Sequence, residues 1–332
     1  SAMAMDPVRA WLACLGMSGL YVVSLYLLPA RIKAKPRDDP GHIMARTAAV
    51  ASVAAASLAW VIYTMSGTCG TSSALAMMGF RWATLGQAVG IPLGVISSLY
   101  AGPIAVLFSM ALVLRTRHPV WLRATTYRLS YVDRPTPLST SGALWESIAY
   151  TLGSESSHVH FRNLVVGPLF EELVFRACMI PMLIFAGVRE RTILFLAPLV
   201  FCTAHAHHIL EKAPRIGVAR ALQETAGQQI YTYIFGVLSG FIFMRTGHLS
   251  APIIWHVICN FLQLPDPSFH APEGQYLSPL YPSRWVLSLV YCLGIGAFFW
   301  SMAHWTTESA YGPFDSRFPC REGTSAAASA SS

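Results

Sequence analysis

Charged residues are scarce in this chain of 332 residues: they make up 12% of it, whereas hydrophobic residues make up 54%. An average soluble domain carries about 25% charged residues. A chain with so few charges cannot cover a water-exposed surface of this size, which excludes an ordinary soluble protein. The composition instead indicates an all-α, polytopic membrane protein, a bundle of about eight transmembrane helices.

Several signatures of catalysis and metal binding are missing as well. The sequence contains no GxSxG motif, no HExxH motif and no CxxC pair. It has seven cysteines, an odd number, and most of them lie in apolar segments. We therefore expect small buried thiols rather than a disulfide framework or a zinc ribbon.

The net charge of +7 is concentrated in two loops between apolar segments. One loop holds Arg31, Lys33, Lys35, Arg37 and Arg46; the other holds Arg115, Arg117, Arg123, Arg128 and Arg134. Cationic loops beside apolar segments are typical of the cytosolic side of membrane proteins, so we assign both loops to the cytosol. Because no basic stripe lies on a soluble element, nucleic-acid binding is disfavoured.

The order of apolar segments predicts the organisation of the chain. A helix crosses the hydrocarbon core with roughly 20 apolar residues. The predicted spans are 8–28, 45–65, 87–114, 161–185, 192–208, 228–245, 249–262 and 285–305. Residues 143–152 are predicted to form an interfacial helix and 264–282 a proline-rich loop. We divide the chain into N-terminal helices with basic loops (1–160), a helical core (161–265), a loop with the last span (266–322) and a disordered tail (323–332).

The fourth span contains ionisable residues, which are costly in a membrane and indicate function. Glu172 and Arg176 are four residues apart and are expected to pair on one helix face. Glu171 is turned by about 100° from Glu172, which leaves its carboxylate available for chemistry. The alternative is a purely structural ion cluster.

The fifth span ends in three histidines within four residues. His205 lies one helical turn after Phe201 and is the candidate catalytic base. His207 and His208 lie nearer to Glu211 and Lys212, where we expect an interfacial position. A metal site is the alternative for this group.

The seventh span carries His256 and Asn260, which are four residues apart and therefore share a helix face. The chain has only one other asparagine, Asn163, so an asparagine in a short apolar helix indicates a defined hydrogen-bonding task. A structural bond between helices is the alternative.

The assigned topology places Glu171, His205, His256 and Asn260 at a similar depth on the cytosolic side. A carboxylate and a histidine can deprotonate a water molecule. A second histidine and an amide can donate hydrogen bonds to a developing oxyanion. Together these groups are the parts of an amide hydrolase that uses activated water.

Three motifs also resemble the signatures of the CPBP superfamily of membrane proteases: EExxxR at 171–176, FxxxH at 201–205 and HxxxN at 256–260. The context of residues 204–208, AHAHH, is similar to the branch of type II CAAX prenyl endopeptidases. The resemblance covers residues 161–265.

The resemblance implies an eight-helix protease of the endoplasmic reticulum membrane whose active site faces the cytosol. Its substrates would be farnesylated or geranylgeranylated CAAX proteins such as small GTPases, which would lose their last three residues. Membrane lipids would be its other partners. Glu171 and His205 would activate water, and His256 and Asn260 would form the oxyanion site. Glu172 and Arg176 would hold these residues in place. No cofactor or metal is implied.

Two other functions stay open at this point. A zinc protease could use Glu171, His205 and His256 as ligands, although HExxH spacing is absent. A membrane scaffold or transporter without enzymatic activity could retain the same residues.

Overall fold

The computed structural model describes residues 5–116, 156–262 and 284–320, and all regular structure in these ranges is helical, as predicted. The predicted interfacial helix at 143–152, the loop at 264–282, the tail from 323 and the second basic loop beyond Thr116 lie outside the described residues. The helices are α1 (Pro7–Tyr26), α2 (Ala30–Lys33), α3 (Pro40–Cys69), α4 (Thr71–Met77), α5 (Leu85–Leu99), α6 (Ala101–Thr116), α7 (residues 157–185), α8 (Glu190–His205), α9 (His208–Ile216), α10 (Val218–Thr246), α11 (Ser250–Leu262), α12 (Arg284–Trp305), α13 (Glu308–Tyr311) and α14 (Phe314–Arg317).

Three helices of the described part are individually long and apolar enough to cross a membrane: α1, α3 and most of α12. Helices α8 and α9, bent by 42° at their junction, can form a fourth span together. These elements coincide with the predicted spans at 8–28, 45–65, 192–208 and 285–305. The chain is therefore a membrane protein, and the total of about eight spans stays a prediction.

Three of the other predicted spans are divided, partly π-helical or short. The predicted span at 87–114 divides into α5 and α6. Helix α7 contains the π-helical stretches Arg162–Val166 and Leu173–Cys178. Helix α11 has only 13 residues.

The chain forms two compact units. One comprises Ser1–Pro92, Phe161–Val257 and Thr306–Ser332; the other comprises Leu93–His160 and Ile258–Trp305. In the second unit α12 packs against α6. The first unit contains α1, α3, α8 and α10 and positions most of the candidate site residues.

Helix α1 begins where its sequence predicts a helix start. The side chain of Asp6 accepts hydrogen bonds from the backbone N–H groups of Val8 and Arg9, and Pro7 occupies the first turn. One face of α1, which includes Ala10, Cys14, Met17, Ser18 and Tyr21, is buried. The helix packs against α3 and α8, so its small residues permit close contact between helices.

Helices α8 and α10 approach each other closely at Gly236. A Cβ atom added at this glycine would lie 2.9 Å from the Cβ of Pro198 on α8. A larger residue would push apart the two helices that carry His205 and part of the surrounding site.

Cys69 and Cys320 form a disulfide, so the expectation of free thiols was wrong for this pair. The two residues are 251 positions apart, and their pairing depends on tertiary structure. Cys14, Cys178, Cys202 and Cys259 are buried and form no disulfide within the described residues, as expected, whereas Cys292, which likewise forms no disulfide there, is exposed.

Candidate active site

The candidate site residues lie on three helices. Glu171 and Glu172 end the α-helical stretch Gly167–Glu172 of α7, between its two π-helical stretches. His205 is the last residue of α8, and His256 lies in α11. π-Helical turns often occur at functional sites, because they reorient side chains relative to a regular helix.

Glu172 is completely buried, and both of its carboxylate oxygens have polar partners. Arg176 approaches both oxygens, with its η1 nitrogen 3.1 Å from Oε1 and its Nε 3.1 Å from Oε2. Ser239 of α10 donates to Oε2 at 3.0 Å, and His256 Nδ1 lies 2.8 Å from Oε1. The ion pair expected from the spacing of Glu172 and Arg176 therefore forms, and two further helices join it.

Aromatic rings enclose the guanidinium group of Arg176. Its central carbon lies 4.5 Å from the ring centroid of Phe201 and 5.4 Å from that of Phe235. The ring of Phe235 also packs against His256, with 4.7 Å between centroids. These contacts favour the buried cation and restrict the movement of the imidazole.

The carboxylate of Glu171 points toward both histidines. Its Oε2 lies 3.9 Å from Nε2 of His205 and 3.9 Å from Nε2 of His256. These distances are too long for direct hydrogen bonds, so the three groups converge without bonding one another. Glu171 and His205 are about one-fifth exposed, which leaves their polar atoms accessible.

The second nitrogen of each histidine has a defined partner. Nδ1 of His205 lies 2.9 Å from the carbonyl oxygen of Phe201, so it carries a proton and donates. Nδ1 of His256 donates in the same way to Glu172. In both rings Nε2 is therefore the nitrogen that faces Glu171.

Asn260 lies one helical turn beyond His256 on α11, and its side chain is exposed. It belongs to the second compact unit, whereas His256 belongs to the first.

His207, His208 and Glu211 form a separate group whose possible ligand atoms lie within 4.8 Å of one another. Glu211 also lies 2.9 Å from Arg37 and 3.7 Å from Arg46. Two guanidinium groups at this carboxylate oppose a metal cation, so the residues fit an ion-pair cluster better than a metal site.

Ser239 and Phe235 contribute to the site but were not singled out in the sequence. Both lie in an apolar stretch of α10, where Ser239 is one of few polar residues. A buried serine in a membrane helix indicates a hydrogen-bond partner on a neighbouring helix, and here that partner is Glu172.

The apolar helices define a membrane protein in which one carboxylate and two imidazoles converge on a candidate active site. Comparison with known proteins narrows this class. The family model described as type II CAAX prenyl endopeptidase Rce1-like matches residues 155–262.

Individual relatives extend this match over most of the chain. CAAX prenyl protease 2 of Arabidopsis thaliana is 32% identical over 76% of this chain and 78% of its own length. CAAX prenyl protease 2 of Homo sapiens is 30% identical over 90% of this chain and 82% of its own. No solved structure matches significantly. The chain belongs to the CAAX prenyl protease 2 family.

Proposed function

We propose that this protein is an intramembrane endopeptidase that removes the C-terminal tripeptide from prenylated CAAX proteins by attack of an activated water molecule. The observation that carries the proposal is the equal separation of 3.9 Å between Glu171 Oε2 and Nε2 of both histidines. A water molecule between these groups can hydrogen-bond to all of them. The family relationship supports the same reaction.

The proposed chemistry separates the roles of the two histidines. Glu171 and His205 take a proton from water as its oxygen bonds to the carbonyl carbon of the prenylated cysteine. Nε2–H of His256 donates to the oxyanion, and Glu172 supports the charge on this ring through Nδ1. When the carbon–nitrogen bond breaks, the proton held by Glu171 and His205 passes to the leaving amine.

Asn260 is proposed as the second oxyanion donor, because helix spacing places it on the same face as His256. Glu172 and Arg176 are proposed as positioning residues. Their ion pair fixes the carboxylate that orients His256.

The proposed substrates are farnesylated or geranylgeranylated CAAX proteins such as small GTPases. The transfer of a prenyl chain from water into lipid is favourable by about 0.8 kcal/mol per buried CH₂ group. Such substrates are therefore already held at the bilayer, among membrane lipids, where the apolar helices surround the site.

We place the protein in the endoplasmic reticulum membrane with its active site toward the cytosol. Arg46 contacts Glu211 near the active site, whereas Cys69 ends the same helix 23 residues later, about 35 Å away at 1.5 Å per residue. Disulfides persist in oxidising compartments such as the lumen. A disulfide at one end of α3 therefore favours a cytosolic position for the other end.

Labelling in sealed microsomes tests this orientation. A membrane-impermeant maleimide should label Lys33→Cys without detergent, but should label Ser72→Cys only after permeabilisation. Labelling of the protein without either substitution gives the background signal. Both replaced residues are exposed. The reverse pattern would place the active site in the lumen.

The activity is tested with purified protein in liposomes and a farnesylated CAAX peptide. We expect release of the tripeptide, and none from the same peptide without the prenyl group. Equal cleavage of both peptides would refute the proposal that the substrates are prenylated. Cleavage of neither peptide would favour a scaffold without enzymatic activity.

The reaction is proposed to need no metal. Activity should survive exhaustive chelation, with metal content measured by mass spectrometry. Stoichiometric zinc that is lost together with activity, and restores it when added back, would favour the zinc protease instead.

A further inference from the structure

Three arginines lie beside the candidate active site, and within the described part of the chain two carboxylates, those of Glu211 and Asp38, form ion pairs with them. Arg37 precedes α3, Arg46 lies near its start, and Arg162 lies in α7. Arg37 and Arg162 are close enough to Arg46 to repel its guanidinium group. Like charges at short range are unfavourable, so this arrangement favours an additional anion.

The nearby carboxylates are mostly engaged with the other cations. Glu211 Oε2 accepts from Arg37 at 2.9 Å and lies 3.1 Å from Nδ1 of His208. Asp38 accepts from Arg162 at 2.7 Å. Among the described residues, Arg46 pairs with Glu211 Oε1 at 3.7 Å, which is an ion-pair distance but too long for a hydrogen bond.

Arg46 therefore presents unused donors. Within the described part of the chain its guanidinium group makes no hydrogen bond, and its side chain is 17% exposed. A guanidinium group that is largely withdrawn from water but still accessible pairs strongly with a carboxylate, because two parallel N–H groups match its two oxygens.

This group lies close to the catalytic residues. Glu211 contacts His208, and the ring centroid of His208 lies 6.1 Å from that of His205. Tyr21 of α1 lies within electrostatic range of both Glu171 and Arg46. Glu211 and His208 thus link Arg46 to His205, one of the two residues proposed to activate water.

We propose that Arg46 binds the C-terminal carboxylate of the CAAX tail, an inference that rests on the proposed endopeptidase function. Three extended residues span about 10 Å, so the carboxylate lies about that far beyond the bond that is cleaved. The carboxylate is the same in every CAAX tail, whereas the side chains of the last three residues vary. Binding it sets the number of residues that are removed.

The test uses a farnesylated CAAX peptide with either a free C-terminal carboxylate or a C-terminal carboxamide. Wild-type protein in liposomes should cleave the acid with a KM about 10- to 100-fold below that of the amide, the range of a charge-assisted hydrogen bond. Arg46→Met should raise the KM for the acid by a similar factor and have little further effect on the amide. Arg46→Lys should fall between them, because it keeps the charge but loses the paired donors.

Arg220→Met is the matched control. Arg220 is 74% exposed and pairs with Glu224, so this variant should retain the preference for the acid. Folding of every variant is checked by thermal unfolding in detergent.

Three results would overturn the inference: equal cleavage of acid and amide by the wild type, a preference that survives Arg46→Met, or an equal loss of both activities in that variant. Failure of the wild type to cleave either prenylated peptide would instead refute the proposed function, and the inference with it.

Discussion

The surroundings of Glu171 and Glu172 differ sharply although the two residues are adjacent. Glu172 is fully buried and is hydrogen-bonded to Arg176, Ser239 and His256. Glu171 is about one-fifth exposed, and its nearest histidine nitrogens lie 3.9 Å away. Helical rotation sends one carboxylate into the protein and the other toward the accessible centre of the site.

The difference in burial and hydrogen bonding shows how a membrane helix accommodates two adjacent acidic residues. A buried charge is tolerated when it is paired and hydrogen-bonded, which describes Glu172. A group that must exchange protons needs accessible atoms with free hydrogen-bonding capacity, which describes Glu171. In the proposed mechanism Glu172 therefore positions His256, and Glu171 is the reactive carboxylate.

The largest effect is expected from Glu171→Gln, which keeps the size of the side chain but removes its basic carboxylate. Tripeptide release should fall by about 10³-fold or more, because general-base catalysis contributes roughly 10²- to 10⁴-fold and water positioning adds to it. The thermal unfolding midpoint should stay close to that of the wild type. Retention of more than a tenth of the activity would assign proton transfer to another group.

The matched replacement Glu172→Gln should act on stability. It leaves Arg176 as an uncompensated charge in a site where its side chain is only 3% exposed. Breaking a buried ion pair costs about 3–5 kcal/mol. The free energy of unfolding, measured in detergent with Glu171→Gln as the control, should show this loss. If the two variants are equally stable, the distinction between a structural and a reactive glutamate is wrong.

A smaller effect is expected from Ser239→Ala, which removes one of the donors to Glu172. The free energy of unfolding should fall by about 1–2 kcal/mol, because a buried hydrogen bond to a charged group is lost. Ser52→Ala is the control: this serine is exposed and bonds only within its own helix. A similar loss of unfolding free energy in both variants would show that the hydrogen bond from Ser239 to Glu172 contributes no more than an exposed bond within a helix.

Helix periodicity accounts for what could be predicted around the site. The pairing of Glu172 with Arg176 and the divergence of Glu171 follow from positions along one helix. The apolar length of α1 and α3 likewise predicted two spans. Each of these features depends on residues that are close in sequence.

Other contacts could not be derived in this way, because they join distant segments. The bonds from Ser239 and His256 to Glu172 connect three helices, and no local pattern specifies which helices are neighbours. The disulfide between Cys69 and Cys320 was missed for the same reason. The division of the predicted span 87–114 into α5 and α6 was also missed, because hydropathy reports composition and not continuity.

The sequence by itself determined the membrane class and the helical fold. It also identified the candidate site residues, because ionisable side chains are costly in an apolar helix and therefore stand out. Only the tertiary structure decided which nitrogen of each histidine faces Glu171 and which acid is saturated with hydrogen bonds. The physical reason is range: hydropathy and helical spacing act over a few turns, whereas hydrogen-bond partners and burial depend on how whole helices pack.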